Sequence, residues 1–506
     1  MMAAKTAENL NEFYASIKEI AVLRSCASLL DWDERVYMPR NASEHRANQM
    51  ALLAGMVHER FVSPRIGELI NILVNDGMNL GDDSADAANI REIKRVYEKA
   101  VKIPKSLVEE LSRTVTMSQG VWQDARKKSD FAMFQPWLEK IVGLKQQEAE
   151  AIGYETSAYD AMLDDFEPGA SSEKIANVFA GLRNELVDLI ARVRNSGKGP
   201  DMSIITRDFP VDRQEKFGSE AASAIGFNFQ SGRLDVTIHP FCTDIGPGDV
   251  RITTRYDKNH FPQAFFGILH EAGHGLYEQG LPREHYGTPC GDSASLGIHE
   301  SQSRMWENLV GRSRAYWKHF FPRAQAVFPE ALSGVTLDQF YFAINDVRPS
   351  FIRVEADEAT YNLHILLRFE IESAFFNNDL EVADIPAAWN EKFKKYFGIV
   401  PQNDALGCLQ DVHWSAGLIG YFPTYTLGNL YAAQFFAKAK SDLGNLENRF
   451  AVGDFAGLLA WLRENIHQRG HRYRAEQLVE KVTGQPLTHK PLMEYLENKF
   501  GELYGL

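Results

Sequence analysis

The sequence lacks the features that would place the protein in a membrane or on nucleic acid. Its 506 residues include 54 Lys and Arg against 68 Asp and Glu, which gives a net charge of −14. A nucleic-acid groove or an anionic membrane surface needs clustered basic residues, and the sequence has no basic run. It also has no apolar stretch of the roughly 20 residues that a membrane helix needs, and residues 1–14 contain no signal-peptide core. We therefore expect a soluble, cytoplasmic protein that binds neither nucleic acid nor membrane.

Cysteine is scarce and dispersed. The four cysteines are Cys26, Cys242, Cys290 and Cys408, and no two of them have a Cys-x-x-Cys spacing. This argues against a disulfide framework and against a thiolate metal site, and it is typical of reduced thiols in a cytosolic protein. The apolar content of 44% is ample for a large buried core.

Helical periodicity dominates the chain. Amphipathic patterns predict helices over residues 9–30, 85–100, 105–128, 131–151 and 173–196. The clearest break, residues 195–200, is interpreted as a surface loop rather than a domain linker. We expect a mainly α protein with one large domain over residues 1–506. Its N-terminal helical part would span about 1–200, and the part that carries a metal motif would span about 201–506.

One region differs from the rest of the chain in its residue composition. Residues 235–239 and 250–256 are rich in β-branched side chains, and the turn-forming residues 243–249 lie between them. This pattern predicts a β-hairpin. Helical patterns resume at about residue 261, with loops predicted near 281–295, 398–412 and 420–428.

The most informative stretch is His270-Glu271-Ala272-Gly273-His274. On a helix the two histidines share a face, so His270 and His274 can converge on one cation. Glu271 cannot join them as a ligand, but it can hold a metal-bound water. An apolar stripe supports the helix, and it comprises Phe265, Ile268, Leu269, Ala272 and Leu276. The pattern alone is also compatible with a coincidence on an ordinary amphipathic helix.

A catalytic zinc site needs a third protein ligand and an open position. The downstream candidates are Glu278, Glu284, His285, His299 and Glu300. Glu278 would require a distorted helix, whereas spacing does not exclude His285. Glu300 begins a second helical pattern, and a helix crossing the first can deliver a carboxylate opposite the histidines. The spacing leaves this choice open.

Six motifs follow one another in order over about half of the chain. They are HPF at 239–241, DVRIT at 249–253, HEAGH at 270–274, HESQ at 299–302, IRVEAD at 352–357 and GCLQDVHW at 407–414. In these motifs, and in WDERVYMP at 32–39, the chain resembles the M32 family of thermostable metallocarboxypeptidases, which are gluzincins. One such motif is weak evidence, but six in order are specific.

The resemblance implies a metal site and a fold. The implied ligands are His270, His274 and Glu300, with Glu271 as general base and one zinc ion per subunit, for which cobalt can substitute. The implied fold is mainly helical, with a long substrate groove and a small β-sheet beside the motif helix, and is related to neurolysin and angiotensin-converting enzyme. Family members are usually homodimers that remove single residues from peptide C-termini with broad specificity.

A carboxypeptidase must recognise a free α-carboxylate, and a bidentate guanidinium is its natural partner. Arg348 and Arg353 are the candidates, and their alternative role is an internal ion pair with Glu355, Asp357 or Glu358. The family motif favours Arg353 and makes Arg348 a nearby second candidate.

The resemblance adds two substrate-binding candidates near the predicted hairpin. His239 would be a packed edge residue in most proteins, and Arg251, with Thr253, could point to solvent. The family places these segments along the substrate groove.

An electrophilic group must stabilise the oxyanion that forms during peptide hydrolysis. His413, Tyr421 and Tyr425 lie in one downstream segment, although a tyrosine after a glycine-rich loop is more often a packing residue. Related gluzincins use a His and a Tyr from such a segment. This favours His413 and Tyr421 as catalytic residues, with Tyr425 as a substrate-binding candidate.

A second histidine pair has the same spacing but a different interpretation. His467 and His471 lack an intervening glutamate, Gly470 weakens a helix there, and Arg469 would repel a cation. We therefore predict the exposed end of a surface helix rather than a metal site.

These features predict a metal-dependent carboxypeptidase. The metal would lower the pKa of bound water, Glu271 would accept its proton and pass it to the leaving amine, and Arg353 would hold the substrate carboxylate. The first alternative is a related helical metallopeptidase that acts as an endopeptidase or releases dipeptides. The second is a catalytically silent peptide-binding scaffold, which would have no need of Glu271.

We predict that Glu271→Gln retains the metal but lowers peptide hydrolysis by several orders of magnitude, because the amide cannot accept a proton. Metal content by mass spectrometry and initial rates on a free peptide check this together. A rate close to that of the wild type would show that Glu271 is not the base.

Overall fold

The computed structural model describes residues 2–76 and 79–506, and it is mainly helical with one three-stranded sheet. The helices in the first 200 residues are α1 (Met2–Val36), α2 (Ser43–Phe61), α3 (Pro64–Asn75), α4 (Ala85–Lys102), α5 (Lys105–Lys128), α6 (Phe131–Ile152), α7 (Ala158–Leu163) and α8 (Ser172–Asn195). The helices predicted at 85–100, 105–128, 131–151 and 173–196 are thus confirmed, and the one predicted at 9–30 lies inside the longer α1.

The remaining elements, which include the three strands of the sheet, lie after residue 210. They are α9 (Val211–Ala224), β1 (Gly232–Val236), β2 (Cys242–Gly246), β3 (Asp249–Thr254), α10 (Phe261–Glu278), α11 (Leu296–Arg304), α12 (Arg314–Val327), α13 (Pro329–Leu332), α14 (Leu337–Ile344), α15 (Thr360–Phe376), α16 (Ile385–Phe397), α17 (Pro423–Leu443), α18 (Leu446–Phe450), α19 (Ala456–Asn465), α20 (Ala475–Thr483) and α21 (Lys490–Tyr504). The loop predicted at 420–428 is therefore wrong beyond residue 422, because Pro423 begins a helix, as proline often does. Within the described residues, none of the helices is both long enough and apolar enough to cross a bilayer.

The chain forms two compact units, each built from separate segments. The first contains Met1–Val101, Asp201–Ile344 and Phe435–Gly484, and the second contains Lys102–Pro200, Asn345–Gln434 and Gln485–Leu506. The predicted N-terminal part therefore contributes to both units. The predicted loop at 195–200 ends at Pro200, the last residue of a segment of the second unit, and Asp201 begins a segment of the first. A single domain over 1–506 stays a prediction.

The sheet belongs to the first unit and has the strand order β1-β3-β2. β1 runs parallel to β3, with Leu234 opposite Ile252, and β2 runs antiparallel to β3. The predicted hairpin between 235–239 and 250–256 is therefore wrong. The tight turn lies at Gly246-Pro247-Gly248, where both glycines have positive φ, so the hairpin partner of β3 is β2. Residues 243–246, which were predicted to belong to a long turn, instead form most of β2.

Helix α10 forms as its periodicity predicts, and it packs against β3 and α11. It has proline in its first turn and buries an aromatic face, where Phe261 stacks on Phe265 and Phe265 contacts Trp317. Gly273 lies where α10 meets α11: a Cβ on it would come within 2.6 Å of the Gln302 carbonyl oxygen and 2.7 Å of the Ser303 Cα. Only a residue without a side chain permits this approach of the two backbones.

The prediction of an exposed helix end at His467 and His471 is wrong. Both side chains are buried, and the segment His467–Arg472 is an irregular 3₁₀ turn in which Gly470 has φ of +49°. His467 Nε2 lies 2.9 Å from Gln302 Oε1, so this ring supports the segment that follows Glu300. The turn is buried by a tertiary contact that the local sequence does not encode: the Cys290 carbonyl lies against Gly470 and covers the turn.

We predict that Gly273→Ala separates α10 from α11, lowers the free energy of unfolding by roughly 1–3 kcal/mol and weakens metal binding. Gly267→Ala on the same helix is the matched control, because its Cβ would meet only Thr254 Oγ1 at 3.7 Å. The control should gain about 0.5–1 kcal/mol, as expected for Gly→Ala in a helix. Thermal unfolding with and without zinc measures both. Equal behaviour of the two variants would contradict the prediction.

Candidate active site

His270, His274 and Glu300 come together in the first unit. The Nε2 atoms of His270 and His274 lie 3.7 and 3.4 Å from Glu300 Oε2. Tetrahedral zinc with bonds of roughly 2.0–2.1 Å requires ligand atoms about 3.3–3.4 Å apart, so these three atoms fit one ion. Within the described residues, no other group of three histidine, cysteine or carboxylate side chains has comparable geometry.

The second nitrogen of each histidine also has a partner. His270 Nδ1 lies 2.9 Å from Glu307 Oε2, and His274 Nδ1 lies 3.1 Å from the backbone oxygen of His299. Histidines that bind metals usually donate this second N–H to a carboxylate or a carbonyl, which leaves Nε2 for the ion. Both histidines therefore have the surroundings of metal ligands.

Glu300, the candidate third ligand, is bound on its other oxygen by a cationic side chain. Arg304 Nε donates to Glu300 Oε1 at 2.7 Å, and Ser303 Oγ donates to Glu300 Oε2 at 3.0 Å. Burial would raise the pKa of Glu300, but Arg304 and the two histidines hold it well below its usual range. The carboxylate is therefore ionised at neutral pH, as a metal ligand must be.

Glu307, which binds His270, is not among the site residues predicted from the sequence. Glu300, Arg304 and Glu307 follow one another at helical spacing, and a π-helical turn, Met305–Val310, begins after Arg304. Such turns are frequent at functional sites. Burial opposes ionisation, but Arg304 and His270 lower the pKa of Glu307 to about 2. The signal available in the sequence is a carboxylate seven residues after Glu300, on the same helical face.

The two histidines differ in their electrostatic surroundings. Burial and neighbouring His299 lower the pKa of His274 to about 3, so its imidazole is neutral. Burial would also lower the pKa of His270, but Glu300 and Glu307 raise it above its usual value. The site therefore favours positive charge beside His270, which is the electrostatic environment that a bound cation requires.

Glu271 is buried on the same helix, between the two histidines in sequence. Burial raises the pKa of its carboxyl to about 7, although His270 opposes this shift. A carboxylate whose pKa lies near neutrality can both accept and return a proton, which is what a general base in peptide hydrolysis must do.

The other candidates for the third ligand lie elsewhere than beside the Nε2 atoms of His270 and His274. Glu278 lies 2.7 Å from His299 Nε2, and the His299 ring stacks on His274 with centroids 4.4 Å apart. Glu284 and His285 belong to a separate 3₁₀ turn, Arg283–His285. Glu300 is thus the candidate that the fold brings to the histidines.

The two substrate-binding candidates near the sheet differ in exposure. His239 is exposed just beyond β1. Arg251 donates to both carboxylate oxygens of Asp249, at 2.8 and 2.7 Å, and its guanidinium lies 4.1 Å from the centroid of Trp32. Thr253 is buried, where its Oγ1 accepts a hydrogen bond from Phe241 N. The structure thus gives Arg251 and Thr253 structural partners and leaves His239 accessible.

Arg353 lies in the second unit and is 6% exposed. Its Nε and Nη2 donate to Asp411 Oδ1 at 3.0 and 2.8 Å, and its Nη1 donates to Tyr361 Oη at 3.1 Å. Arg368 donates from Nε to Asp411 Oδ2 at 2.6 Å. The internal ion pair considered for Arg353 is therefore present, but with Asp411. Two guanidinium groups against one carboxylate leave one uncompensated positive charge.

Arg348 differs from Arg353 in its surroundings. Its side chain is 60% exposed and pairs with Asp346. Asp357, in the same motif, accepts hydrogen bonds from Ala359 N and Thr360 N and so caps the start of α15. An exposed arginine is less well oriented for carboxylate recognition than a buried one whose rotamer is fixed by several partners.

His413, Tyr421 and Tyr425 form one aromatic group in the second unit. His413 Nε2 lies 3.3 Å from Tyr425 Oη, and the centroids of the His413 and Tyr421 rings are 5.3 Å apart. Burial lowers the pKa of His413 to about 4 in spite of Asp411, so the imidazole is neutral at neutral pH. The Arg353 guanidinium lies 5.0 Å from the Tyr425 ring centroid. The fold thus brings these predicted residues and Arg353 together.

We predict that Glu307→Gln lowers metal affinity by about 10–100-fold, because His270 loses the carboxylate that orients its ring. Glu284→Gln removes an exposed carboxylate of the same unit and is the matched control. Competition between each protein and a chelating dye for zinc gives the two dissociation constants. Wild-type affinity in Glu307→Gln would show that this contact does not support the site.

Known proteins are similar to this chain over nearly its whole length. The family of carboxypeptidase Taq (M32) metallopeptidases matches residues 12–500. Thermostable carboxypeptidase 1 of Thermus thermophilus is 49% identical over 98% of this chain and 99% of its own length. Carboxypeptidase 1 of Bacillus subtilis is 40% identical over 98% of each chain. The crystal structure of M32 carboxypeptidase from Deinococcus radiodurans R1 superposes with a TM-score of 0.95 at 40% identity, covering 99% of this chain and 100% of that one. This chain therefore belongs to the M32 family of metallocarboxypeptidases.

Proposed function

We propose that the protein is a zinc-dependent carboxypeptidase that releases single amino acids, with broad specificity, from peptides with a free C-terminus. The observation that carries this proposal is the donor set of His270, His274 and Glu300, with each histidine Nδ1 already bonded. Membership of a metallocarboxypeptidase family supports it.

The donor chemistry suits zinc. Two imidazole nitrogens and one carboxylate oxygen are the ligands of many catalytic zinc sites, and cobalt accepts the same set. One zinc ion per subunit would polarise the scissile carbonyl and lower the pKa of water. Glu271 accepts the proton of the attacking water and passes it to the leaving amine.

Arg353 is the residue that we assign to the substrate carboxylate. Its guanidinium is planar, fixed by Asp411 and Tyr361, and part of a group with one excess positive charge. Arg348, which pairs with Asp346 at the surface, is the second candidate. His239 and Arg251 are further candidates for contact with the substrate.

His413 and Tyr421 are assigned to the oxyanion, and Tyr425 to substrate binding. A neutral imidazole and a phenol can each donate a hydrogen bond to a developing negative charge. The low pKa of His413, about 4, supports this role because it keeps the ring neutral in the working range of pH.

Other properties implied by the family remain proposals. They are a neurolysin- and angiotensin-converting-enzyme-like fold with a long substrate groove, a homodimeric assembly and a cytoplasmic location. The sheet next to α10 is consistent with that fold.

The function is tested with paired peptides that have a free or an amidated C-terminus. Protein stripped of metal and restored with zinc or cobalt is incubated with both, and products are identified by mass spectrometry. We expect stepwise loss of single residues from the free peptides only. Cleavage of amidated peptides would indicate an endopeptidase, release of dipeptides a dipeptidyl carboxypeptidase, and no cleavage a scaffold.

We predict that Arg353→Lys lowers the preference for free over amidated peptides by about tenfold or more, because lysine keeps the charge but loses the bidentate fork. Arg348→Lys makes the same change at the competing residue. The ratio of kcat/KM for the two peptides is measured for both variants. A larger loss in Arg348→Lys would assign the carboxylate to Arg348 instead.

A further inference from the structure

Glu372 of α15 is a fully buried carboxylate to which none of the roles above is assigned. It accepts three hydrogen bonds: from Trp414 Nε1 at 3.0 Å, from Tyr159 Oη at 2.7 Å and from Gly420 N at 3.2 Å. Its described contacts include no Lys, Arg or His. Burial raises the pKa of Glu372 to about 7, although the three donors oppose this shift. Burying a carboxylate without a cationic partner costs free energy, which these three hydrogen bonds offset in part.

Two of these donors belong to one short segment. Trp414 directly follows His413, and Gly420 directly precedes Tyr421. Glu372 therefore binds the segment beside each of the two residues that we assign to the oxyanion. One oxygen receives the donor at the first end, and the other oxygen receives the donor at the second end.

The rest of the segment is also held in place. Within the segment, the Ser415 carbonyl accepts a hydrogen bond from Ser118 Oγ of α5 at 2.6 Å. Just before the segment, the Leu409 carbonyl accepts one from Trp122 Nε1 of the same helix at 3.0 Å. Gly420 has φ of +86°, and a Cβ there would come within 2.7 Å of the Met162 carbonyl carbon. The backbone can therefore follow this path only with glycine at 420.

The chemistry of the contact requires an acceptor at both ends. A carboxylate offers two acceptor oxygens, whereas a glutamine offers one oxygen and a donor N–H₂ group. In Glu372→Gln, at least one of the Trp414 and Gly420 N–H groups would therefore meet a donor. The carboxylate is thus suited to fixing both ends of the segment at once.

We propose that Glu372 is a positioning residue that fixes His413 and Tyr421 by clamping the segment between them. This inference rests on the proposed function, because it requires His413 and Tyr421 to act on the substrate. A displacement of about 1 Å in such groups can lower a rate by about a hundredfold.

The experiment measures kcat and KM on an N-blocked peptide with a free C-terminus, with zinc content matched. Glu372→Gln should lower kcat by about 10–100-fold and change KM by less than about threefold. Trp414→Phe, which removes one donor and keeps an aromatic ring, should lower kcat in the same direction. This variant also keeps the test open if Glu372→Gln does not fold. Tyr159→Phe is the matched control: it removes the third hydrogen bond from outside the segment and should keep kcat within about twofold.

A double-mutant cycle separates positioning from general destabilisation. In the His413→Gln background, Glu372→Gln should cause a clearly smaller further loss in kcat than it causes in the wild type, because one of the two groups that it positions is already gone. Fully additive losses, or a wild-type kcat in both Glu372→Gln and Trp414→Phe, would overturn the inference. An inactive wild-type protein would refute the proposed function instead. An active wild type with full activity in His413→Gln would refute the inference alone.

Discussion

The close approach of α10 and α11 at Gly273 is the constraint on which the proposed metal site depends. The Gln302 carbonyl lies where any side chain at 273 would stand. This approach brings the Glu300 carboxylate within 3.4 Å of His274 Nε2, and it also brings the His299 carbonyl to His274 Nδ1. One packing contact between two backbones thus brings together the proposed third ligand, Glu300, and the carbonyl that binds the second nitrogen of His274. The glycine in the motif is as much a part of the site as its histidines.

Two buried ionic groups have opposite charge balance, and each fits its proposed role. In the first unit, Glu300 and Glu307 are compensated by Arg304 and Arg312, and buried Glu271 adds a third carboxyl. In the second unit, Arg353 and Arg368 face the single carboxylate of Asp411. Despite burial, Glu300 and Glu307 raise the pKa of His270, so the first group favours positive charge at that ring, whereas the excess guanidinium of the second group favours an anion. This difference matches a metal in one case and a substrate carboxylate in the other.

Local features were predictable from the sequence, and partners that lie far apart in it were not. The helices over 105–128 and 131–151 and the paired histidines of α10 follow from periodicity, which acts over a few residues. The hairpin was wrong because strand pairing depends on a turn at residues 246–248 and on a parallel neighbour further away. The Glu300 assignment needed the family resemblance, since spacing alone left several ligands open. The hydrogen bonds from Arg353 to Asp411 and from Trp414 to Glu372 join residues 58 and 42 positions apart, for which the chain has no local signal.

The hydrogen bond from Arg304 to Glu300 has a consequence for the choice of metal. Arg304 binds Oε1 of Glu300 at 2.7 Å, so the oxygen that Glu300 presents to the two histidine Nε2 atoms is Oε2. The protein thus provides two nitrogens and a single oxygen, a small and nitrogen-rich set. Calcium, which takes six to eight oxygen ligands, and magnesium, which needs octahedral oxygen, are poorly served by it. The hydrogen bond from Arg304 therefore favours the small ion proposed above, which accepts nitrogen ligands, over the hard cations that need many oxygens.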